Sequence, residues 1–250
     1  MCLRSIEWSE TSQIVVLLTR EWGKVRGLAK GSKRLSPSAV ARFSGGIELL
    51  QRGEVLATTK ATAELANVTE WNLADDHHHL RRSLAAQRLA MYAAELADDV
   101  LPELDPHPAS FDALTRFLKA LADPARLRQA ALRFQWAVIV DAGFKPELDA
   151  DVHDGAALVL DTDREDAGEP VAFDPLAGGL TRRTGPGQWK TRTRTAALLR
   201  RLAAGDQPAL AAADPDSIDR ANRLLCSYLR ETLGRELATM RFILNSGGVA

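Results

Sequence analysis

Basic side chains are concentrated near the beginning of this 250-residue chain. Residues 20–60 contain nine lysines and arginines against three acidic residues, although the whole chain has a formal net charge of −1. A cluster of cations can bind the phosphate backbone of a nucleic acid by releasing its counterions, so that affinity falls as salt rises. On charge alone, a solvated surface with no ligand is an equally good interpretation. We expect phosphate contacts from six side chains: Lys24, Arg26, Lys30, Lys33, Arg34 and Arg42.

Aromatic residues, on which unpaired bases could stack, are sparse in the same region. Trp8, Trp22 and Phe43 are the only ones that precede Trp71. We therefore expect backbone contacts to outweigh base stacking and the preference for any nucleotide sequence to be weak.

Common catalytic motifs are absent from the sequence. It has no G-x-x-x-x-G-K-[ST] phosphate loop, no zinc-deaminase signature, and neither G-x-S-x-G nor H-E-x-x-H. Acidic pairs such as Asp161 and Asp163 could serve a metal-dependent nuclease, but they lie in a loop full of acids, which favours solvated charge. The three histidines at 77–79 cannot converge on one ion from a helix, because consecutive side chains point about 100° apart. We expect no enzymatic activity, and a helix start capped by Asp75 or Asp76.

The basic cluster falls in a region whose pattern is typical of β-strands. Residues 24–30 alternate basic with small or apolar side chains, which indicates one buried and one cationic face. A turn-like segment follows at 31–38, and two further strands are predicted at 46–51 and 55–62, joined by a tight turn at 52–54. Four or five short strands favour a small barrel, since closure removes exposed sheet edges.

From about residue 75 onward the apolar residues recur at helical spacing. One helix is predicted to end near Pro102, and a second covers 111–122. A third begins at Pro124 and stops at Gly143, and the last runs from a Ser217 cap to Gly234.

Two isolated histidines, His107 and His153, are expected to face solvent. Cys226 lies on the apolar stripe of the last helix and is expected to be buried. With Cys2 as the only other cysteine, the chain has no disulfide framework, which indicates a reducing compartment. No leader-like apolar segment and no run of 18 apolar residues is present, so we expect a cytoplasmic protein that spans no membrane.

The charge changes sign twice in the second half of the chain. Residues 147–177 contain ten acids and one base, whereas residues 182–201 contain seven bases and no acid. The acidic stretch interrupts the helical pattern, so we expect a loop-rich insertion at 147–189 within an α-helical domain.

Several motifs, in order along the chain, resemble the RecO family. Residues 9–34 are similar to its N-terminal signature, in which a strand ends in a Gly-Lys turn and the next strand leads to an Ala-Lys-Gly basic loop. Residues 43–50 are similar to its next strand, and residues 133–149 to a helix that ends in G-x-x-P-x-L-D. Residues 223–242 resemble its C-terminal helix and tail. Each motif is weak alone, but the collinear set covers nearly the whole chain.

The resemblance implies an α+β fold, with an OB-like small β-barrel over 1–75 and an α-helical domain over 76–250. It also implies a non-enzymatic mediator of recombinational DNA repair that binds and anneals single-stranded DNA and helps to load recombinase on coated DNA. The implied partners are RecR and the C-terminal tail of the single-strand DNA-binding protein, with RecF and RecA as further candidates, in the nucleoid region of the cytoplasm. An OB-fold RNA-binding module and, less well supported, a metal-dependent nuclease remain as alternatives.

The sequence departs from the family at its metal loop. Many relatives carry two C-x-x-C pairs, which align here with residues 151–155 and 180–185, and neither segment contains a cysteine. Structural zinc requires four thiolate or imidazole ligands, so we expect no metal and no other cofactor. By the same resemblance, candidates for binding the acidic tail of the single-strand DNA-binding protein are Arg223, Tyr228, Arg230 and Arg241.

Overall fold

The computed structural model describes residues 1–59, 64–160 and 171–245. The chain forms two compact units, Met1–Ala122 and Asp123–Ala250. The first is built around a five-stranded sheet and the second is mainly helical. This is the expected α+β class, with an OB-like N-terminal sheet followed by a helical region. Lys60 and the acidic residues between 161 and 169 fall outside the described residues.

The described strands of the first unit form an open sheet, so the prediction that they close into a barrel was wrong. The order of this sheet is β1-β2-β3-β5-β4, with β3 and β5 parallel and every other pair antiparallel. No ladder joins the edge strands within the described ranges, but Cys2 exchanges two backbone hydrogen bonds, of 2.8 and 2.9 Å, with Leu50 and Gln51. The strands are β1 (Cys2–Ser9), β2 (Ser12–Thr19), β3 (Gly23–Ala29), β4 (Arg52–Thr58) and β5 (Ala66–Asp75).

The prediction of a strand at 46–51 was wrong. These residues form a turn in which Leu50 has a φ of 67°, a left-handed conformation that cannot continue a strand. Residues 52–54, predicted as a tight turn, instead begin β4. The apolar side chains Ile47 and Leu50 are nevertheless buried, because the turn folds them against the sheet.

A short helix, α1 (Pro37–Phe43), packs on the sheet where the sequence suggested only a turn-like segment. Ser36 caps it by accepting a hydrogen bond from the Ala39 amide, and Pro37 occupies the first turn. The Ser-Pro pair is thus a helix start, a signal that was available in the sequence. Phe43 at the end of α1 joins a buried cluster that also contains Cys2, Val15, Leu17, Ala29, Ile47, Val68 and Trp71.

Two predicted helices complete the first unit, α2 (Leu84–Val100) and α3 (Pro108–Ala120). A 3-10 turn, His78–Arg82, precedes α2. The predicted acidic cap was wrong, since His77 is the N-cap of this turn and makes no side-chain cap hydrogen bond. Asp75 and Asp76 instead accept hydrogen bonds from the backbone amides of His77 and His78 at 2.9 and 3.1 Å, where the chain leads into the turn.

A buried ion pair connects β3 with α2. The Lys24 ammonium lies 3.5 Å from a carboxylate oxygen of Asp98, and these side chains are 9% and 10% exposed. Lys24 also donates to the Asp98 backbone carbonyl, and Arg4 of β1 pairs with the same carboxylate. The Asp98 carboxylate therefore compensates a charge that would otherwise be stranded in the interior.

The second unit contains α4 (Leu127–Asp141), α5 (Thr193–Ala203), α6 (Gln207–Ala212), α7 (Pro215–Leu233) and α8 (Arg241–Leu244). Its small antiparallel sheet has the order β7-β6-β8, from β6 (Val171–Asp174), β7 (Gly179–Thr181) and β8 (Trp189–Thr191). Between α4 and α7, the buried Gln135 amide donates to Asn222 at 2.7 Å, and Asn222 donates to the Arg128 carbonyl at 3.0 Å. Buried side-chain amides of this kind are stable because their donors and acceptors have hydrogen-bond partners.

The observed ends of α4 and α7 agree with the ends predicted from the sequence, except for the N-cap of α7. A 3-10 turn at Pro124–Arg126 leads into α4, and Gly234 ends α7 with a φ of 65°. The cap of α7 is Asp214, which accepts from the Ser217 amide at 2.8 Å, so Ser217 belongs to the first turn. Helix α5 was not foreseen, because its basic surface residues obscured the apolar spacing.

Replacement of Asp98 by alanine should destabilise the first unit strongly, because it leaves the Lys24 ammonium buried without its carboxylate. We expect a loss of about 3–5 kcal/mol in the free energy of unfolding, measured by urea denaturation. Asp112→Ala is the matched control, since its pair with Arg20 is half-exposed and such pairs contribute about 1 kcal/mol or less. Equal losses in the two variants would contradict the assignment.

Candidate nucleic-acid interface

A groove with a volume of about 290 Å³ lies on the first unit. It is formed by the end of β1, the beginning of β2, the end of β3, the loop that follows β3, and α1. We call it the basic groove, and its lining residues are Trp8, Ser9, Ser12, Leu28, Lys30, Gly31, Arg34 and Arg42. Among the residues that the structure describes, no acidic side chain lines it.

The loop after β3 is hydrogen-bonded to the beginning of β2 and to the residue before it. The Ser12 hydroxyl accepts from the Gly31 amide at 3.2 Å, and the Lys33 amide donates to the Thr11 carbonyl at 3.1 Å. Gly31 has a φ of 70°, a conformation that glycine adopts without strain. The Ser32 hydroxyl donates at 2.9 Å to the buried Gln13 amide oxygen. The cations on this loop therefore start from an ordered backbone.

Three of the six predicted phosphate contacts line the basic groove: Lys30, Arg34 and Arg42. All three are exposed. Lys30 and Arg34 make no ion pair with any residue that the structure describes, and the Arg42 guanidinium lies 5.5 Å from the centre of the Phe43 ring. Their charges are therefore not compensated locally, and the groove presents a positive potential.

Trp8 gives the basic groove an aromatic surface that the sequence analysis undervalued. Its side chain is 64% exposed beside the three cations, where an indole can stack on an unpaired base. Trp22 is 74% exposed but does not line the groove, and Phe43 is buried in the core. The sequence did contain an indication of this role. Trp8 lies near the end of a strand, where a large apolar side chain is left uncovered.

The other three predicted contacts have different environments. Lys24 is buried and paired with Asp98, so its prediction as a surface phosphate contact was wrong. Arg26 is exposed and lies 3.9 Å from Glu103. Lys33 donates to Glu7 at 2.6 Å, and this hydrogen bond raises the pKa of Lys33 and lowers that of Glu7. Alternation along β3 could not reveal these partners, which come from elsewhere in the chain.

The four residues predicted to bind a partner peptide do not form one exposed groove. Tyr228 is buried, its hydroxyl donates to the Phe144 carbonyl at 3.2 Å, and burial raises the pKa of its phenol. Arg230 approaches Glu231 and Glu236 at 3.5 Å. Tyr228 is thus a core residue of the second unit.

The remaining two candidates for the peptide site lie at the surface or close to it. Arg241 is exposed, and its guanidinium lies 5.1 Å from the centre of the Phe242 ring. Arg223 is half-buried and seven residues from Arg230, so the two share one stripe of α7. Binding of a peptide by these arginines stays a prediction.

The segment that aligns with the family's metal loop is held by two buried carboxylates. Asp151 accepts from the Thr181 hydroxyl, from the Arg182 amide at 2.7 Å and from the His153 amide at 2.9 Å. Asp174 accepts from the Leu176, Ala177 and Gln188 nitrogens and lies 3.1 Å from the His153 ring nitrogen. We call this part, the residues 147–160 and 171–191, the carboxylate-held module.

These residues do not fit zinc. The described residues contain no group of three or more histidine, cysteine, aspartate or glutamate side chains that could hold a metal ion, and both carboxylates already accept several hydrogen bonds. His153 is engaged by Asp174, and the His107 side chain is only 13% exposed next to Asp105. The expectation that both histidines face solvent is confirmed for His153, which is exposed, and was wrong for His107. Cys226 is buried, as expected.

The fold defines an α+β protein whose OB-like sheet carries a groove lined by three exposed cations. The family model described as "Recombination protein O N terminal" matches residues 1–76, and "Recombination protein O C terminal" matches residues 81–241. The chain belongs to the RecO family of DNA repair proteins, which confirms the resemblance. Within the described ranges, no helix is both long and apolar enough to cross a membrane.

Relatives match over nearly the whole chain. The DNA repair protein RecO of Anaeromyxobacter dehalogenans (strain 2CP-C) is 33% identical over 247 residues, covering 96% of this chain and 92% of the relative. The protein of that name from Anaeromyxobacter sp. (strain Fw109-5) is 31% identical, covering 97% and 93%. The one from Myxococcus xanthus (strain DK1622) is 27% identical, covering 99% and 96%.

The carboxylate-held module should be sensitive to acid. Burial alone would raise the pKa of Asp151, but the hydrogen bonds from Arg182, His153 and Thr181 lower it overall. The pKa of Asp174 is lowered mainly by the Ala177 amide and the Gln188 side chain. Because both values lie below the unfolded value of about 3.9, the stabilisation is complete above that pH and is lost as pH falls through the folded values.

This pH dependence can be measured by urea denaturation at a series of pH values down to about 3, below the ordinary carboxyl pKa. The Asp174→Asn variant should start from a lower stability and lose less on acidification than the unsubstituted protein, because one titrating group is missing. Asp216→Asn, at an exposed position, is the matched control and should leave the slope unchanged. Identical slopes for all three proteins would refute a stabilising role of Asp174.

Proposed function

We propose that the basic groove binds single-stranded DNA and that the protein is a non-enzymatic mediator of recombinational repair. One observation carries the proposal: Lys30, Arg34 and Arg42 stand beside an exposed Trp8 in one concave surface without an acidic residue. Membership of the RecO family supports the same assignment to DNA repair.

The combination of cations and an indole favours single strands over a duplex. Phosphates of either form can contact Lys30 and Arg34, but only an unpaired base is free to stack on Trp8. Neither interaction identifies a particular base, so binding should tolerate any sequence. This differs from the sequence-based expectation in giving base stacking a share of the affinity.

In this mechanism, no covalent bond is made or broken. Two complementary strands repel each other through their phosphates, and cations on the protein replace the condensed counterions that would otherwise screen this repulsion. Bases of the bound strand that do not stack on Trp8 remain accessible, so a complementary strand can begin to pair with them. Annealing is therefore the activity that we expect from the purified protein.

The wider role follows from the family and is part of the proposal. We propose that the protein acts with RecR to help load recombinase onto DNA coated by the single-strand DNA-binding protein. RecF and RecA are further candidate partners. We propose that the protein acts in the cytoplasm, at the nucleoid. Arg223, Arg230 and Arg241 are the candidates for meeting the carboxylates of the tail of the coating protein.

Replacement of both Lys30 and Arg34 by alanine tests the groove directly. We expect weaker binding to unrelated single strands by similar factors, and a slope of log affinity against log salt that is reduced by about 1.4, since each lost phosphate contact contributes about 0.7. The measurement is fluorescence anisotropy with labelled oligonucleotides across a salt series. Strand annealing by the same variant, with a chelator present, should slow in parallel.

The matched control is Arg81→Ala with Arg82→Ala, which changes the net charge equally at two exposed positions outside the basic groove. This variant should bind and anneal as the unsubstituted protein does. An equal loss in both double variants would show that only net charge matters. A loss confined to one DNA sequence, or tighter binding to RNA of equal length, would favour the RNA-binding alternative.

Trp8→Ala should weaken binding of single strands without changing the salt slope, because stacking releases no counterions. The expected loss is about 1–3 kcal/mol of binding free energy. Trp22→Ala is the control, since Trp22 is at least as exposed but lies outside the groove lining. The same anisotropy titration measures both, and equal affinities for the two variants would remove Trp8 from the site.

A further inference from the structure

The function proposed above leaves a second concentration of positive charge unused. Residues 182–201 contain seven bases and no acid, and they lie in the second unit. Two of the seven have structural roles: Arg182 donates to the Ala157 carbonyl, and Arg200 donates to the Leu148 carbonyl at 2.6 Å and approaches Asp149 at 3.3 Å. The other five are exposed.

The small sheet brings several of these cations close together in its edge strand and in the segments that flank it. Its inner face is aromatic: Phe173 stacks on Trp189 with ring centres 5.9 Å apart and meets Tyr228 edge-on at 5.2 Å. Lys190 pairs in register with Ala172, one position from Phe173. Because successive side chains of a strand point to opposite faces, Lys190 lies on the face opposite these rings. Ala172 and Thr181 on that face are fully buried, whereas Lys190, on the edge strand β8, is exposed.

Further exposed cations flank the sheet at both of its edges. Ala172 pairs with Thr181 on the other side, and the exposed Arg183 follows in the loop after β7, where its amide donates to the Thr181 hydroxyl at 3.0 Å. Arg192 follows Lys190 by two residues in extended conformation, with a φ of −72° and a ψ of 140°. We call Arg183, Lys190, Arg192 and Arg194 the second strip.

The start of α5 adds to the positive potential. Arg192 is its N-cap residue and offers no side-chain acceptor, and Arg194 lies in the first turn of this 11-residue helix. The partial positive charge of a helix N-terminus has the same sign as these side chains. Arg183, Lys190 and Arg192 make no ion pair with the residues that the structure describes. A ligand with regularly spaced negative charges would relieve this concentration.

We propose that the second strip is a further phosphate-backbone site, which holds the complementary strand during annealing. This inference rests on the proposed function, because it assumes that the basic groove holds the first strand. One groove can screen one strand, and a second cationic surface on the same chain can bind the partner strand and raise its local concentration. The result is an annealing protein with one strand site in each compact unit.

The chemistry of the second strip fits a phosphate backbone better than an acidic peptide. A docking peptide needs an apolar pocket for its anchoring side chain. The loop between β7 and β8 offers arginine, threonine, glycine and proline, and Trp189 turns its ring towards Phe173. Evenly distributed cations without such a pocket suit a polyanion of any base sequence.

The test compares three double variants of the full chain, each with the same loss of charge. Lys190→Ala with Arg192→Ala removes the centre of the second strip, and Lys30→Ala with Arg34→Ala disables the basic groove. Arg126→Ala with Arg133→Ala is the control within the second unit, at two exposed positions outside the strip. Circular dichroism verifies that each variant folds.

Two quantities are measured: the number of short labelled oligonucleotides bound per chain, and the rate of annealing of two complementary strands. We expect two oligonucleotides per chain for the unsubstituted protein and for the control. Each of the other variants should bind one. Annealing by the strip variant should slow by about tenfold or more at low salt, because two phosphate contacts are lost. Charge reversal, Lys190→Glu with Arg192→Glu, should slow it further.

The outcomes separate the two proposals. If the strip variant binds two oligonucleotides and anneals like the control while the groove variant is impaired, the second strip is overturned and the basic groove stands. If the groove variant is unimpaired, the proposed function fails whatever the strip does. If the strip variant anneals naked strands normally but loses binding of an acidic peptide, the strip is a peptide site and the inference is wrong.

Discussion

One buried amide, that of Gln13, positions most of the first unit. Its nitrogen donates to the Ser5 hydroxyl at 2.8 Å and to the Ile47 carbonyl at 3.2 Å, and its oxygen accepts from Ser32 and from the Ile47 amide. These bonds join β1, the loop after β3 and the turn after α1. Because an unsatisfied buried amide is expensive, the three segments are fixed together, and the basic groove has walls of defined spacing.

Regular elements could be predicted from the sequence where burial follows a simple period. The alternation in β3 and the helical spacing in α2, α4 and α7 gave their positions to within a few residues. Prediction failed where apolar residues serve an irregular backbone. Ile47 and Leu50 are residue types that are common in strands, yet they lie in a turn. That turn depends on hydrogen bonds with Gln13 and Cys2, which are distant in the sequence. Such long-range hydrogen bonds leave no local pattern.

The candidate site, too, could be predicted only in part. Clustered charge identified the correct part of the chain, and Lys30, Arg34 and Arg42 do line one groove. Charge could not distinguish Lys30 from Lys24. Lys24 lies in β3 and pairs with Asp98, whereas Lys30 directly follows the same strand and is exposed to solvent. The difference arises from α2, more than seventy residues later in the chain. The value of Trp8 likewise became evident only when its neighbours were known.

The carboxylate-held module has a chemical consequence for a protein of DNA repair. Thiolates that ligate zinc are targets of oxidants, and their loss to sulfenic acid or disulfide releases the ion and the fold together. Here aspartates occupy that segment, and the two cysteines of the chain, Cys2 and Cys226, are fully buried elsewhere. Peroxide that damages DNA would find no exposed sulfur of cysteine to attack. The same stress that creates the need for repair would thus leave this part of the repair protein chemically intact.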